Sequence, residues 1–587
     1  MNISNRIPAV FIGTVATIII AQPLTFAAMS VDEVGKIAKS ITVLIDSKNP
    51  GSGVIIKRDG NTYTVLSARH VFQDPQAKYE IVTPDDKRYA VNYGSVKKLP
   101  NMDLAVVEFT STETYSVAKI GNSDLVTEGK AAYVAGFPKT SAAISRSIYQ
   151  FTKGQITANA SRTSEDGYAL VYSNNTLPGM SGGPILNENG ELVGIHGRAD
   201  TRALETSSIN RDIQIAKIGF NQGIPINTSL RLLDSVNVDV GVKVSSAPVV
   251  TGLKADDFYI EGWDKYNKGD YQGAIAAYTQ AIKLDPNYAF AYNSRGIART
   301  ELGDNQGAIA DFNEVLRIDP NDVYTYYNRG IARRKLGDNQ GAIADYNAAL
   351  RIDPNYANAY ISRGNARSEL GDKQGALADF NEALRINPNY ALAYYNRGIV
   401  RRQLGDRQGA IADYDRALQI NPNYANAYYN RAIARYKLGD MQGAIADYNE
   451  ALRINPNDAL TYINRGIARH KLGDMQGELA DYDRALQINP NYVDAYINRG
   501  IARYDLGDKQ SAIADYNAAL RINPNVANAY YNRGLARAKS EDKQGAIADF
   551  QKAADLYQQQ GNRNYYQSAI NKIREIESNT PTRSTPN

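Results

Sequence analysis

The sequence predicts a chain of two unlike halves: an all-β domain followed by an all-α repeat array. Two observations carry this. Between about Val31 and Val240, short β-branched or alternating runs are separated by Gly, Asn, Asp and Pro, with no helical stretch between them. From Gly269 onward the dipeptide Gly-Asp returns every 34 residues, and a proline keeps the same step. At 587 residues the chain accommodates more than one domain, each with a sizeable core.

Composition narrows the chemistry. Apolar residues make up 43% and charged residues 22%, an ordinary soluble balance. The net charge of +4 is too small to imply nucleic acid as a partner. There is no cysteine, so disulfides, thiolate metal sites and a cysteine nucleophile are excluded, and stability rests on packing. Nothing in the sequence calls for a metal or a cofactor.

The first element is a targeting segment, residues 1–28. Arg6 supplies a short positive region, Ile7–Ile20 is an apolar run, and "TFAAMS" offers cleavage near Ala27 or Ala28. A spanning helix takes about 20 apolar residues, more than this run holds. The expectation is a periplasmic or secreted protein with no membrane span after cleavage; a retained anchor is the alternative.

The β domain follows over residues 31–245. "ITVLID", "GSGVIIK", "TYTVLSA", "KYEIVT", "DLAVVEF", "AAYVAGF", "YALVYS" and "ELVGIHG" read as strands of a barrel or a sandwich. A softer linker, residues 246–254, leads into the repeats.

In the second half, Gly-Asp stands at Gly269, Gly303, Gly337 and so on to Gly507, with Glu541 keeping the place in the ninth unit. Prolines from Pro286 to Pro524 keep the same step. Each unit predicts two helices: one from just after Pro-Asn to the Gly-Asp turn, and one ending at the next proline. An aromatic in the first helix (Phe258, Tyr292, Tyr326, Tyr360), a small residue four later (Gly296, Gly330), and alanines around an aromatic in the second helix (Ala342, Tyr346, Ala349) make these units resemble tetratricopeptide repeats. Nine fill residues 255–560, a capping helix takes 561–578, and 579–587 is a disordered tail. The units depart from that family in two arginines four apart in the first helix (Arg295 and Arg299, Arg329 and Arg333). With the recurrent aspartate of the second helix (Asp311, Asp345, Asp379), these predict a ladder of ion pairs stitching neighbouring repeats, in preference to an anion-binding stripe. Glu478 replaces a small alanine, so the seventh unit should be locally loose.

In that family the first helix of each unit lines a concave groove. The resemblance implies a groove that binds a protein segment, and the candidates there are Tyr259, Tyr327, Tyr395, Tyr429 and Tyr531, with Arg334 and Arg402 nearby.

One stretch of the β domain carries chemistry. "TLPGMSGGPI" (176–185) sets glycines around Ser181, and a serine needs a base and an orienting group to act as a nucleophile. Of three histidines, His70 lies in "VLSARHVF", and Asp103 begins "DLAVVEF". "SARHV", "DLAVV" and "GMSGGPI" resemble, in this order, the signature segments of trypsin-like serine proteases over roughly residues 40–230, nearest to bacterial members such as the high-temperature-requirement proteases and the glutamyl endopeptidases. The resemblance implies two six-stranded β-barrels, chymotrypsin-like, with the site in the cleft between them. It makes His70 the general base, Asp103 its orienter and Ser181 the nucleophile, with the Gly179 and Ser181 N–H groups as the oxyanion hole. Met180 stands where chymotrypsin-like enzymes carry an activating aspartate, so the site must be ordered by packing or by something else.

The resemblance also places Asn175 at the base of the substrate pocket. Thr176 and His196 match the threonine and the Gly-Ile-His histidine with which glutamyl endopeptidases bind an acidic side chain. The expectation is a serine endopeptidase acting on protein or peptide substrates. The alternative is a catalytically idle barrel on a repeat scaffold that acts as a protein-binding adaptor.

Overall fold

The computed structural model describes residues 28–139, 148–160, 163–164, 166–174, 176–199, 221–233, 236–242 and 253–578. The targeting segment, most of the linker, the tail and Asn175 lie outside the described residues.

The first element among the described residues is a helix the strand pattern did not announce, α1 (Val31–Ile41). Its signal is a capping box: Glu33 N–H donates to Ser30 Oγ at 3.3 Å, and Ser30 N–H donates back to Glu33 Oε2 at 2.7 Å. Val34, Ala38 and Ile41 form its buried stripe.

Among the described residues thirteen strands follow in two antiparallel systems. The first comprises β1 (Thr42–Asp46), β2 (Gly51–Asp59), β3 (Thr62–Ala68), β4 (Tyr79–Val82), β5 (Arg88–Val91), β6 (Lys97–Lys98) and β7 (Leu104–Thr110). The second comprises β8 (Ala131–Gly136), β9 (Gln150–Asn159), β10 (Leu170–Tyr172), β11 (Pro184–Leu186), β12 (Leu192–Ala199) and β13 (Asn221–Pro225). A short helix, α2 (Ile226–Leu233), ends the domain.

The second system closes as a six-stranded barrel in the order β10-β13-β12-β11-β8-β9. The first corrects the expectation of two six-stranded barrels: it is a seven-stranded sheet, β5-β4-β1-β2-β3-β7-β6, whose ladder does not close. The sheet curls around its own core of Val43, Ile45, Ile55, Val65, Val107 and Phe109. On its other face Val54, Leu66, Leu104 and Val106 join Tyr133, Leu186, Ile195 and Ile224 of the closed barrel. Because β2, β3 and β7 are buried on both faces, they read as continuous apolar runs rather than alternating ones.

The repeats begin with α3 (Ala255–Asn267), α4 (Tyr271–Leu284) and α5 (Ala289–Glu301), and helix pairs continue to Gln559, with a closing helix Arg563–Ser578. By contact density the chain divides into two compact units, one running to Ala298 and the other from Arg299 onward. The first repeat thus belongs with the β domain. Tyr259, Ile260 and Tyr278 of α3 and α4 share a core with Ala158, Ala160, Ala169 and Val171 of the β9–β10 hairpin, and Asn159 N–H donates to Asp256 Oδ2 at 3.1 Å.

The Gly-Asp dipeptide has two separate jobs. The glycine ends the first helix in the left-handed region, as Gly337 does at φ +82°, where a side chain is strained. The aspartate caps the second helix, as Asp338 does by accepting from Gly341 N–H at 2.8 Å. Glu541 takes the left-handed place in the ninth unit at φ +66°.

The arginine–aspartate pairs form, but they correct the expected ladder, because most of them join the two helices of one unit and not neighbouring units; ion pairs to the preceding unit are Arg431–Asp415 at 2.5 Å and Arg499–Asp483 at 2.6 Å. Arg329 is bidentate on Asp345, at 2.6 and 3.0 Å, and donates to Asn313 of the preceding second helix at 2.7 Å. Arg333 adds a contact to Asp345 at 3.0 Å. The same set recurs at Asp379, Asp447, Asp481 and Asp515.

Candidate active site

His70 sits on a tight turn, Arg69–Phe72, at the end of β3. Asp103 lies just before β7, the strand paired with β3, so the register of that pair delivers one to the other. Arg69 N–H donates to the Asp103 carbonyl at 3.0 Å, and His70 N–H donates to Asp103 Oδ1 at 2.9 Å. The side chains meet at His70 Nδ1–Asp103 Oδ2, 2.6 Å. The Tyr168 hydroxyl donates to the same oxygen at 2.5 Å. Burial by itself raises the Asp103 carboxyl; the bonds from His70 and Tyr168 outweigh it and hold the group below the usual carboxylate range. Asp103 is therefore an ionised, buried acceptor, while the His70 side chain keeps 34% exposure. A cleft of about 540 Å³ lined by Arg69, His70, Gln73, Lys98, Asp103 and Asp166 opens beside it.

Ser181 is half-buried on the turn between β10 and β11. Its carbonyl accepts from Ser52 N–H at 2.8 Å, Gly182 N–H donates to the His196 carbonyl at 2.6 Å, and His196 N–H donates to the Gly183 carbonyl at 2.8 Å. These bonds fasten the turn to β2 and β12. Among the described residues no hydrogen bond joins Ser181 Oγ to His70 Nε2. The His70–Asp103 pair is formed, and the Ser181–His70 contact is not. At Gly179, φ is +98° and a Cβ would lie 2.3 Å from the Lys139 backbone nitrogen, so only glycine fits. Met180 is fully buried among Val134, Ile156, Leu170, Tyr172 and Ile185, so apolar packing holds the turn where an ion pair is absent.

His196, on β12, is fully buried. Its Nδ1 lies 2.5 Å from the Tyr172 hydroxyl, and its Nε2 is buried with no partner. Burial, and then the nearby His70, push its pKa down to about 3, so it is neutral. Thr176 Oγ1 donates to Asn221 Oδ1 at 2.5 Å, which commits its proton inside the protein. The sequence reading missed Tyr168 and Tyr172. Their signal is the alternation of β10, where Tyr168, Leu170 and Tyr172 share one face and Ala169 and Val171 the other.

In the repeats, the groove tyrosines need correcting. Tyr259, Tyr327 and Tyr395 are buried, and Tyr429 and Tyr531 are half-buried. Their rings pack on the second-helix aromatics, as in Tyr327–Tyr346 at 5.8 Å and Tyr395–Tyr414 at 6.0 Å. The fifth position of the first helix faces the partner helix rather than an open surface, so these rings are core. Arg334 is held by Glu369 at 2.9 Å, and Arg402 is half-buried beside Tyr414. Glu478 is buried and has a partner, His470 Nδ1 at 3.0 Å, a histidine that stands only in that unit.

Residues 51–195 match the trypsin-like peptidase domain family. Residues 259–323, 332–473, 502–540 and 527–560 match tetratricopeptide-repeat families. The β domain is similar to the serine protease Do-like HtrA of Lactococcus lactis subsp. cremoris, 25% identical over 32% of this chain and 45% of that one. It is also similar to a probable periplasmic serine endoprotease DegP-like of Pseudomonas putida, 30% identical over 27% and 31%. Exfoliative toxin A of Staphylococcus aureus is 28% identical over 33% of this chain and 69% of its own length. The chain thus spans less than half of the first two relatives. Among solved structures, the crystal structure of MamA is 30% identical over 27% of this chain and 94% of that one, with a TM-score of 0.26.

Proposed function

We propose that this chain, a trypsin-like peptidase domain joined to tetratricopeptide repeats, is an exported serine endopeptidase whose repeats bind protein. The observation that carries the reading is the buried Asp103 carboxylate 2.6 Å from His70 Nδ1, at a cleft, with the Ser181 turn fastened to the strand that follows β1 and to β12. In the proposed mechanism Ser181 Oγ attacks the scissile carbonyl and His70 Nε2 takes its proton. Asp103 fixes the imidazole tautomer and stabilises the imidazolium. The Gly179 and Ser181 N–H groups receive the oxyanion, and His70 then protonates the leaving amine. A water repeats the sequence to free the acid.

The pocket reading deepens at His196. The Tyr172 hydroxyl donates to the Gln222 carbonyl at 3.2 Å and lies 2.5 Å from His196 Nδ1, and His196 Nε2 is the buried ring atom with no partner. The resemblance to glutamyl endopeptidases makes His196, with Asn175 and Thr176, the group that would meet an acidic side chain before the cut. Export rests on the leader-like residues 1–28 and on relatives described as periplasmic; among the described residues no helix is long and apolar enough to cross a membrane. A protein segment in the repeat groove, near Arg402, completes the reading.

The test is a serine-directed fluorophosphonate probe. It should label Ser181 in the full chain and fail on Ser181→Ala. Absence of labelling under every condition in which substrate proteins are bound would make the β domain an idle adaptor.

A further inference from the structure

We propose that Tyr168 is a positioning residue for the His70–Asp103 pair, its buried hydroxyl sharing with His70 the carboxylate oxygen that orients the base. The proposal rests on the endopeptidase reading for its consequence in turnover, but not for its geometry.

Three donors converge on Asp103. Oδ2 accepts from His70 Nδ1 at 2.6 Å and from the Tyr168 hydroxyl at 2.5 Å, while Oδ1 accepts from His70 N–H at 2.9 Å. Among the described residues, the carboxylate without the tyrosine is held only by the residue it is meant to orient. With it, the carboxylate has an anchor independent of His70, and the imidazole inherits a fixed direction. Bonds to an ionised acceptor are the short, strong class, so the anchor is stiff.

Tyr168 is held as tightly as a positioning group requires. It is fully buried, its N–H donates to Ser164 Oγ at 3.0 Å, and Ser164 N–H donates back to its carbonyl at 2.8 Å. Its neighbour Asp166 accepts from Asp103 N–H at 2.9 Å, so one short segment grips Asp103 by main chain and side chain. The ring occupies the space beside Gly197. A Cβ there would lie 2.0 Å from ring Cε1 and 2.3 Å from the hydroxyl, so the glycine after His196 makes room for this tyrosine. On the opposite face of the same strand, Ala169 and Val171 pack on Tyr259 and Tyr278 of the first repeat, which backs the strand that presents Tyr168.

A tyrosine that merely fills the core would tolerate loss of its hydroxyl without touching the chemistry. The test is Tyr168→Phe, which keeps the ring. The expected result is a fall in kcat of about tenfold with KM within about twofold, the mark of a loss felt in the transition state. The downfield proton resonance of the His70 Nδ1–H should move as well. Gly197→Ala, which displaces the ring while keeping the hydroxyl, should reproduce both changes. An unchanged resonance together with an unchanged kcat in Tyr168→Phe would overturn the proposal, and so would a loss confined to KM. The resonance needs no turnover: if it moves while neither wild type nor variant hydrolyses peptides or takes the probe, Tyr168 still positions the pair and the endopeptidase reading falls.

Discussion

At His70, orientation is inseparable from the burial of Asp103. A carboxylate with 5% side-chain exposure stays ionised because its donors replace the water it has lost. Asp103→Asn should therefore cost about 10⁴ in kcat, since an amide favours the wrong imidazole tautomer. Ser181→Ala and His70→Ala should each lose at least as much on a peptide substrate while folding normally, and a Ser181→Ala protein retaining most of its activity would remove the assignment. His196 yields a pH prediction. Its pKa lies at about 3 against an ordinary 6.5, so the folded state binds fewer protons than the unfolded state between those values. The stability it contributes is complete above 6.5 and is lost as pH falls toward 3. The melting temperature should decline across that window, and His196→Gln should flatten the decline; a parallel decline in both proteins refutes it. Peptide-library profiling adds a functional check: wild type should prefer Glu or Asp before the cut and His196→Ala should not, whereas cleavage mainly after Val, Ala or Leu would dismiss the acidic pocket. The candidates His70, Asp103 and Ser181 could be picked out because each is scarce or distinctively framed and they come in a recognisable order. Tyr168 could not, because a chain with 41 tyrosines gives no reason to single one out until a partner 65 residues away comes within reach.

Among the elements, the repeats were read most fully, since a 34-residue step places each helix, turn and cap by counting. What the count missed was direction. It set the fifth-position tyrosines on a groove because sequence spacing fixes a face only relative to its neighbours, and the glycine opposite draws the second-helix ring inward: a Cβ at Gly330 would lie 2.6 Å from Tyr346 Cε1. The same limit hid the His470–Glu478 pair, whose members are eight residues apart across a turn. The helix α1 escaped because "ITVLID" drew its last residue, Ile41, into a strand, although Ser30 and Glu33 announced a helix start. The arginine–aspartate pairs support a quantitative prediction. Asp447 is 3% exposed and serves both Arg431 and Arg435, so Asp447→Ala takes the buried partner from two half-buried guanidinium groups, leaving them only the more exposed Asp415 and Asp440. It should cost about 3 kcal/mol, read as a lowered denaturation midpoint for the repeats. Glu541→Gly should work in the opposite sense, recovering about 1 kcal/mol by relieving a left-handed residue; no gain would mean that the Glu541 side chain offsets its own strain.

For the molecule as a whole, the sequence and the contacts disagree on where the peptidase part ends. Composition puts the boundary at the linker before residue 255, whereas packing carries the first unit to Ala298. The difference has a physical cause. Ala158, Ala160, Ala169 and Val171 form an apolar face on the β9–β10 hairpin, and α3 and α4 cover it. The strand under that cover carries Tyr168, Leu170 and Tyr172 on its other face, toward Asp103 and His196. A chain ending at residue 254 should expose the apolar face, melt at lower temperature and turn over short peptides several-fold more slowly than the full chain. A chain ending at Glu301 keeps the cover and should turn over short peptides at nearly the full rate, because everything that touches the triad is present. It should still cut a folded or extended protein substrate more slowly than the full chain, because the later repeats that would hold such a substrate are gone. Two comparisons separate the possibilities. Equal short-peptide rates for the chains ending at 254 and 301 would show that the first repeat is only an attachment. Equal rates on a protein substrate for the chain ending at 301 and the full chain would assign the later repeats to localisation or assembly instead of substrate capture.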